Sequence, residues 1–421
     1  MIGRLLPKSA FARNVFTLMT GTTLAQAIPV MISPILTRLY SPQEFGVFAF
    51  YLALVSVLSV LATGRYELAI MVPRKERGAA AITAIALCAS IIVGAILFLV
   101  VVVFGREIAT LFNMSEHYQL FYWVPLSVVL MAGYQALNYW CNRHSYYRTM
   151  ATARMSQSVS MSASQVGAGY AGVGVVGLVG GAIAGHFSAF FFLLVRVLKS
   201  DRQAFRRLNL SILRAMARRY VDFPKYLIAA HSLNMASFQA PIIALGSMFG
   251  SSVSGFFMLT QRVIGAPMSI VASAIGDVFR QEASRAYLES GQCKDVYKKT
   301  FLRLLCIAVL AFPVFFIIAP DMFALVFGEK WRVSGEYARI LTPMFFLQFV
   351  TSPLSSMYML AQKQRLDLFW QFFLFLLIVF SFAFAYFLDS IQAGLYFYSI
   401  SYSIMYFING ILSYRLALGT V

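Results

Sequence analysis

Apolar residues gather along this chain in long runs separated by short polar stretches, and most runs are long enough to cross a bilayer as α-helix. A hydrocarbon core of about 30 Å takes roughly 20 apolar residues at about 1.5 Å rise each. Measured this way, the pattern predicts twelve spans, at residues 14–37, 45–72, 79–104, 118–141, 155–171, 174–196, 227–248, 252–277, 301–319, 340–361, 368–388 and 393–414. The fifth and sixth are the least distinct, because "GYAGVGVVGLVGG" reads either as a turn between two helices or as a glycine-rich break in one. Residues 155–196 exceed the length of a single span, so the two-helix reading is adopted.

The amino-terminal "MIGRLLPKSAFARN" resembles the start of a secretory signal, with Ala25-Gln26-Ala27 where a cleavage site would lie. The apolar run continues past that point to Leu36, which predicts a retained first span. Composition agrees with the pattern. Of 421 residues, 60% are hydrophobic and 12% charged, whereas soluble domains carry about 25% charge. The net charge of +18 is a topological signal here and not a nucleic-acid-binding one, because the basic residues cluster between the apolar runs. Of the 34 Lys and Arg residues, 27 fall on the side of the amino terminus and 5 on the other, with Arg65 and Arg262 inside spans. That bias places both termini in the cytoplasm. Cys88, Cys141, Cys293 and Cys306 have no short metal or redox spacing and read as small apolar residues.

The most basic loop, residues 197–226, carries Phe205, Leu208, Ile212 and Met216 on one helical stripe, with Arg206, Arg207, Arg214 and Arg218 away from it. This pattern predicts an amphipathic helix on the anionic cytoplasmic leaflet. It also divides the chain into an amino-terminal six-helix bundle (1–198), a cytoplasmic linker (199–226) and a carboxy-terminal six-helix bundle (227–421). Setting Gly46 on Gly255 pairs "ILTRLYSPQEFGVFAF" with "ALGSMFGSSVSGFFML", so the halves read as parallel repeats. The first span of each half contains proline, at Pro29 and Pro34 and at Pro241. Interrupted helices at matching places in two repeats point to a central transport site.

Catalytic signatures are missing. The chain has no GxxxxGK[ST] or HExxH motif, and His117, His144, His186 and His231 lie in separate segments. The longest external stretch, 320–339, is too short for a catalytic domain, so a transporter is favoured over an enzyme. Charge inside the spans is the informative chemistry, since an arginine at mid-membrane costs about 2.5–3.5 kcal/mol on insertion scales. As helix neighbours two apart, Arg65 and Glu67 would project to opposite sides. Both are near enough to the membrane edge to snorkel. Arg262 is deeper, roughly 15 Å from Ser252 and roughly 22 Å from Asp277 along a helix. Either it pairs with Glu67, or Arg262 and Arg65 make a cationic cavity suited to phosphate oxygens. Gln261, Gln26, Asn234 and Gln239 are the polar span residues that would line such a cavity or bond neighbouring helices.

The segments "ILTRLYSPQEFGVFAFY", "GRYELAIMVPRKERGA", "DFPKYLIAAHSLN", "SGFFMLTQRVIGAPMSIVASAIGDVFRQEA" and "FGEKWRVSGEYARILTPMFFLQFVTSPLSSMYML" resemble, in order, the bacterial polysaccharide flippase family of the multidrug/oligosaccharidyl-lipid/polysaccharide exporter superfamily. The resemblance implies an all-α polytopic membrane protein, here with about twelve transmembrane helices in two pseudo-symmetric six-helix bundles around a central cavity. It implies an undecaprenyl-diphosphate-linked oligosaccharide as substrate (an O-antigen, capsule or exopolysaccharide repeat unit), moved from the cytoplasmic to the periplasmic leaflet of the inner membrane. Membrane lipids and the polysaccharide polymerase and chain-length machinery are the implied partners. No cofactor or metal is expected, and a coupling ion is left open. Two alternatives stand beside it: a cation-coupled multidrug antiporter of the same superfamily, and a membrane polymerase or ligase acting on the same lipid carrier. The first would want an acidic residue in span one, which has none.

Overall fold

Among the residues that the computed structural model describes, 10–206 and 208–419, every regular element is a helix, and twelve of these helices have at least twenty residues. In chain order they are α1 (Ala10–Leu39), α2 (Pro42–Ala62), α3 (Glu76–Leu111), α4 (Val124–Arg143), α5 (Tyr147–Tyr170), α6 (Val175–Ser200), α7 (Ile228–Phe249), α8 (Ser251–Ser290), α9 (Lys294–Phe327), α10 (Arg332–Thr351), α11 (Gln364–Phe387) and α12 (Ile391–Ala417). Ten are long and apolar enough to cross a membrane; α5 and α7 are the two that fall short by composition. The chain divides into two compact units, 1–239 and 240–421, with the division inside α7 and not in the 199–226 segment. The basic residues expected within 1–9, and Arg207, lie outside the described residues.

In the first unit, the turn between α1 and α2 is built by "SPQE". Ser41 accepts from the Glu44 amide, the Glu44 carboxylate accepts from the Ser41 amide, and Pro42 occupies the first turn, where its missing N–H costs nothing. Gly46 is the fifth residue of α2 and Gly255 the fifth of α8, the equivalence read from the sequence repeat. The glycine-rich stretch resolves into a turn between two helices, with Gly172 and Gly174 in positive-φ backbone that side chains avoid.

The polar α5 survives among apolar helices because α1 and α6 satisfy it. Pro29 cannot donate to the carbonyl of Ala25; Ser158 of α5 donates to it instead, at 2.7 Å. Arg154 donates to Thr22 Oγ1 at 2.7 Å, and the Gln165 amide donates to the Leu178 carbonyl at 3.0 Å. On the other side, Gly177, Gly181 and Gly185 form a four-residue ladder on α6. A Cβ at these positions would stand 2.6 Å from Ala168 Cβ, 2.4 Å from Gln165 Cγ and 2.8 Å from the Gln157 carbonyl. Small residues at this spacing let helix backbones approach closely in a membrane.

The amphipathic segment differs from its expectation. It forms two short helices, Arg202–Arg206 and Leu210–Arg219, the second capped by the Asn209 side chain on the Ile212 amide. Phe205, Leu208 and Met216 pack on the first unit's own core around Trp140, Ile70 and Leu193, and Arg214 and Arg218 stay exposed. Three of the four stripe residues therefore pack on protein. Trp140 and Tyr146 both donate to the Asp201 carboxylate, at 2.9 and 3.1 Å, and anchor the start of this segment.

In the second unit, α8 is longer than any bilayer crossing requires, at 40 residues or about 60 Å. Its polar end, past Asp277, continues as helix and is laced by Arg280–Asp277 and Arg285–Glu289 pairs. Phe279, Tyr297, Phe349, Leu354 and Met357 belong to this unit's core, and Tyr398, Tyr402 and Tyr406 form a buried row on α12. Trp370 of α11 donates to the Met405 carbonyl at 2.8 Å beside that row.

Candidate functional site

The second span does not run unbroken to Val72. It ends at Ala62, and "TGR" follows in non-helical form, with Gly64 and Arg65 both at φ 59°. Glycine enters the left-handed region freely, whereas for arginine this conformation costs about 1–2 kcal/mol. A single turn, Tyr66–Ala69, comes next, and then an irregular stretch containing Pro73 leads to α3.

This turn overturns the expectation that Arg65 and Glu67 face apart. The Arg65 guanidinium lies 2.9 Å from Glu67 Oε1, and Arg65 Nε donates to Nδ1 of His231 on α7, also at 2.9 Å. The charge partner seen on Glu67 is thus Arg65. Snorkelling is also corrected: the Arg65 side chain is 15% exposed and that of Glu67 fully buried. The cluster offsets the strained backbone with two charge-assisted contacts. Glu67 Oε2 and Thr63 Oγ1 remain buried without a hydrogen-bond partner.

The surroundings hold the turn in place. Arg143, at the end of α4, donates to the carbonyls of Ile70 at 3.1 Å and Pro73 at 2.7 Å, and its Nε lies 3.5 Å from Glu76. His144 reaches the same carboxylate at 3.1 Å. Tyr66 donates to the Ala217 carbonyl at 3.1 Å, which ties the turn to the linker helix. Tyr139 of α4 is within electrostatic range of both Arg65 and Glu67.

Of the seven residues singled out by sequence, the structure joins Arg65 to Glu67 and adds His231, which sequence reasoning passed over. The available signal was a histidine inside the apolar run of α7, with Asn234 three residues on along the same helix face. Asn234 is exposed there, and Gln239 lies partly buried farther along α7. Gln26 is exposed on α1. Gln261 and Arg262 are neighbours on α8 of the second unit, both partly buried. Among the described residues, no group of three or more His, Cys, Asp or Glu side chains is placed to hold a metal ion.

A family model described as "Polysaccharide biosynthesis protein" matches residues 35–336. The chain belongs to that family. This polysaccharide biosynthesis protein is 22% identical over 331 residues to the succinoglycan biosynthesis transport protein ExoT of Rhizobium meliloti (strain 1021), an alignment that spans 78% of this chain and 65% of the relative. Among solved structures, it superimposes on the lipid II flippase MurJ in an inward closed conformation with a TM-score of 0.73, at 11% identity, over 95% of this chain and 87% of that one. An inward-facing MATE-family multidrug transporter of the MOP superfamily gives a TM-score of 0.61 at 17% identity, over 99% and 96% of the two chains. The MATE transporter DinF-BH gives 0.66 at 14% identity, over 99% and 98%. This member of the polysaccharide biosynthesis family therefore shares the fold of these solved transporters, with ten helices among its described residues long and apolar enough to cross a membrane.

Proposed function

We propose that this protein is a flippase for an undecaprenyl-diphosphate-linked oligosaccharide, carrying the headgroup from the cytoplasmic to the periplasmic leaflet of the bacterial inner membrane by alternating access. The observation that carries the reading is membership of the polysaccharide biosynthesis family on a fold shared with a lipid II flippase. A diphosphate and its sugars must pass about 30 Å of hydrocarbon while the polyprenyl chain stays in lipid. Charge within the spans is the means of passing it.

Arg262 is the residue proposed to bind the diphosphate, because a guanidinium fork suits two phosphate oxygens and its position on α8 is far from either helix end. Arg65 shares its charge with Glu67 and His231, so its proposed contribution is a moderated positive field that permits release. Gln261, Gln26, Asn234 and Gln239 are proposed to meet sugar hydroxyls. The basic bias supports both termini and the 197–226 segment in the cytoplasm.

The test is complementation of a strain lacking its own flippase, with membrane abundance measured alongside export. Losing one hydrogen bond to a charged group weakens binding by about tenfold to a hundredfold. Arg262→Ala should cut export severely at normal abundance and trap the lipid-linked unit inside. Arg262→Lys should recover part of it, keeping the charge but not the fork. Full export by Arg262→Ala would remove Arg262 from the mechanism. Accumulation of the unit on the outer face, unpolymerised, would favour a polymerase.

A further inference from the structure

The second unit contains an apolar groove that the proposed charge chemistry does not use. Its volume is about 570 Å³, and it lies where α9 and α12 both run along α10 while barely touching each other. The two helices meet at Tyr297, whose hydroxyl donates to the Gly410 carbonyl at 3.0 Å, with its ring 5.5 Å from that of Tyr414. From there Phe301 and Leu305 of α9, Val350 of α10 and Ile411 of α12 line the walls. Gly410 keeps the floor open, since a Cβ there would already stand 3.0 Å from Thr351 Cγ2.

Lys298 is the lining residue that carries a charge, and it is exposed. It sits in "KDVYKK", the polar start of α9, where lysines mark the edge of the bilayer. The lining from Tyr297 to Leu305 covers about 12 Å along the helix, close to the depth of one leaflet of a core of about 30 Å. An apolar slot one leaflet deep with a single cation at its mouth matches an anionic lipid in shape and charge, chain inward and head at the edge.

We propose that this groove docks the polyprenyl chain of the lipid carrier at the membrane edge, with its diphosphate at Lys298, before the headgroup is transferred. This rests on the flippase reading above and names where the tail is held. The probe is a diazirine-bearing polyprenyl diphosphate added to the full-length protein in phosphatidylcholine nanodiscs, with crosslinked peptides located by mass spectrometry. Label should fall in residues 297–305 and 407–414 and persist under excess phosphatidylglycerol. The exposed groove-wall pair Leu302→Trp and Ile411→Trp should remove most of it with unfolding temperature preserved. Lys298→Ala should require about fivefold more probe, the effect of one exposed ion contact. Equal displacement by phosphatidylglycerol would overturn the proposal in favour of an ordinary anionic phospholipid. Label elsewhere in the chain, unaffected by the tryptophans, would overturn it and leave the flippase reading standing. Absence of label anywhere would count against both.

Discussion

Arg65 and Glu67 are two residues apart and meet at 2.9 Å, because Gly64 and Arg65 carry the backbone through the left-handed region before the Tyr66–Ala69 turn. Removing one partner of a buried pair strands the other charge, at a cost of about 3–5 kcal/mol. Arg65→Ala should therefore lower both the unfolding temperature and the membrane abundance of the protein. The double variant Arg65→Ala with Glu67→Gln should recover much of that loss, since no buried charge remains. Wild-type stability in Arg65→Ala alone would show that the pair is not holding the turn.

The bond from Ser158 to the Ala25 carbonyl replaces the one that Pro29 cannot make. Ser158→Ala should cost about 1–3 kcal/mol, the penalty of an unsatisfied buried acceptor. In a Pro29→Ala background, residue 29 can donate to that carbonyl again and the same change should become nearly neutral. A thermodynamic cycle on the purified protein measures the coupling. Simple additivity of the two substitutions would reject the replacement.

Glycine spacing on α6 gives a paired prediction. Gly181 faces Gln165 and Met161 with no space for a side chain, whereas its neighbour Gly180 has nothing within 4 Å. Gly181→Leu should push α5 and α6 apart, at about 1–3 kcal/mol or more, and reduce folded protein. Gly180→Leu should be tolerated. Size-exclusion profiles and membrane abundance distinguish the two, and equal behaviour would refute the close helix contact as its cause.

Topology can be read by labelling single cysteines from the periplasm. The exposed native thiols Cys88 and Cys306 must be replaced first, while Cys141 and Cys293 are buried. Cysteines at Glu116 and Glu329 should react from outside, and those at the exposed Gln203 and Arg214 only after the membrane is opened. Reaction at Gln203 in sealed cells would reverse the predicted orientation.

Much of the fold was legible because water and lipid impose it residue by residue. Runs of apolar residues report what must leave water, and each of the twelve predicted spans overlaps a helix of at least twenty residues, although the second and tenth run past their helix ends at Ala62 and Thr351. The turn at 171–174 was legible as a glycine cluster, and the reversal at 40–46 as proline and glycine between apolar runs. Periodicity does not report what an apolar face will touch. The stripe of Phe205, Leu208 and Met216 suits a leaflet and a protein core equally well, and only packing against Trp140 and Ile70 chose the core.

The site was less legible for a related reason. A glycine at 64 permits left-handed backbone but does not require it, so an unbroken helix through Arg65 and Glu67 satisfied every local rule. What broke it was a set of distant partners: His231, 166 residues away, on Arg65, and Arg143 on the carbonyls of Ile70 and Pro73. The sequence by itself determined which segments enter the membrane and which charges are out of place there. The tertiary structure decided how those charges are satisfied, because a buried charge takes its partner from whatever the fold brings within about 3 Å, and sequence separation does not limit that choice.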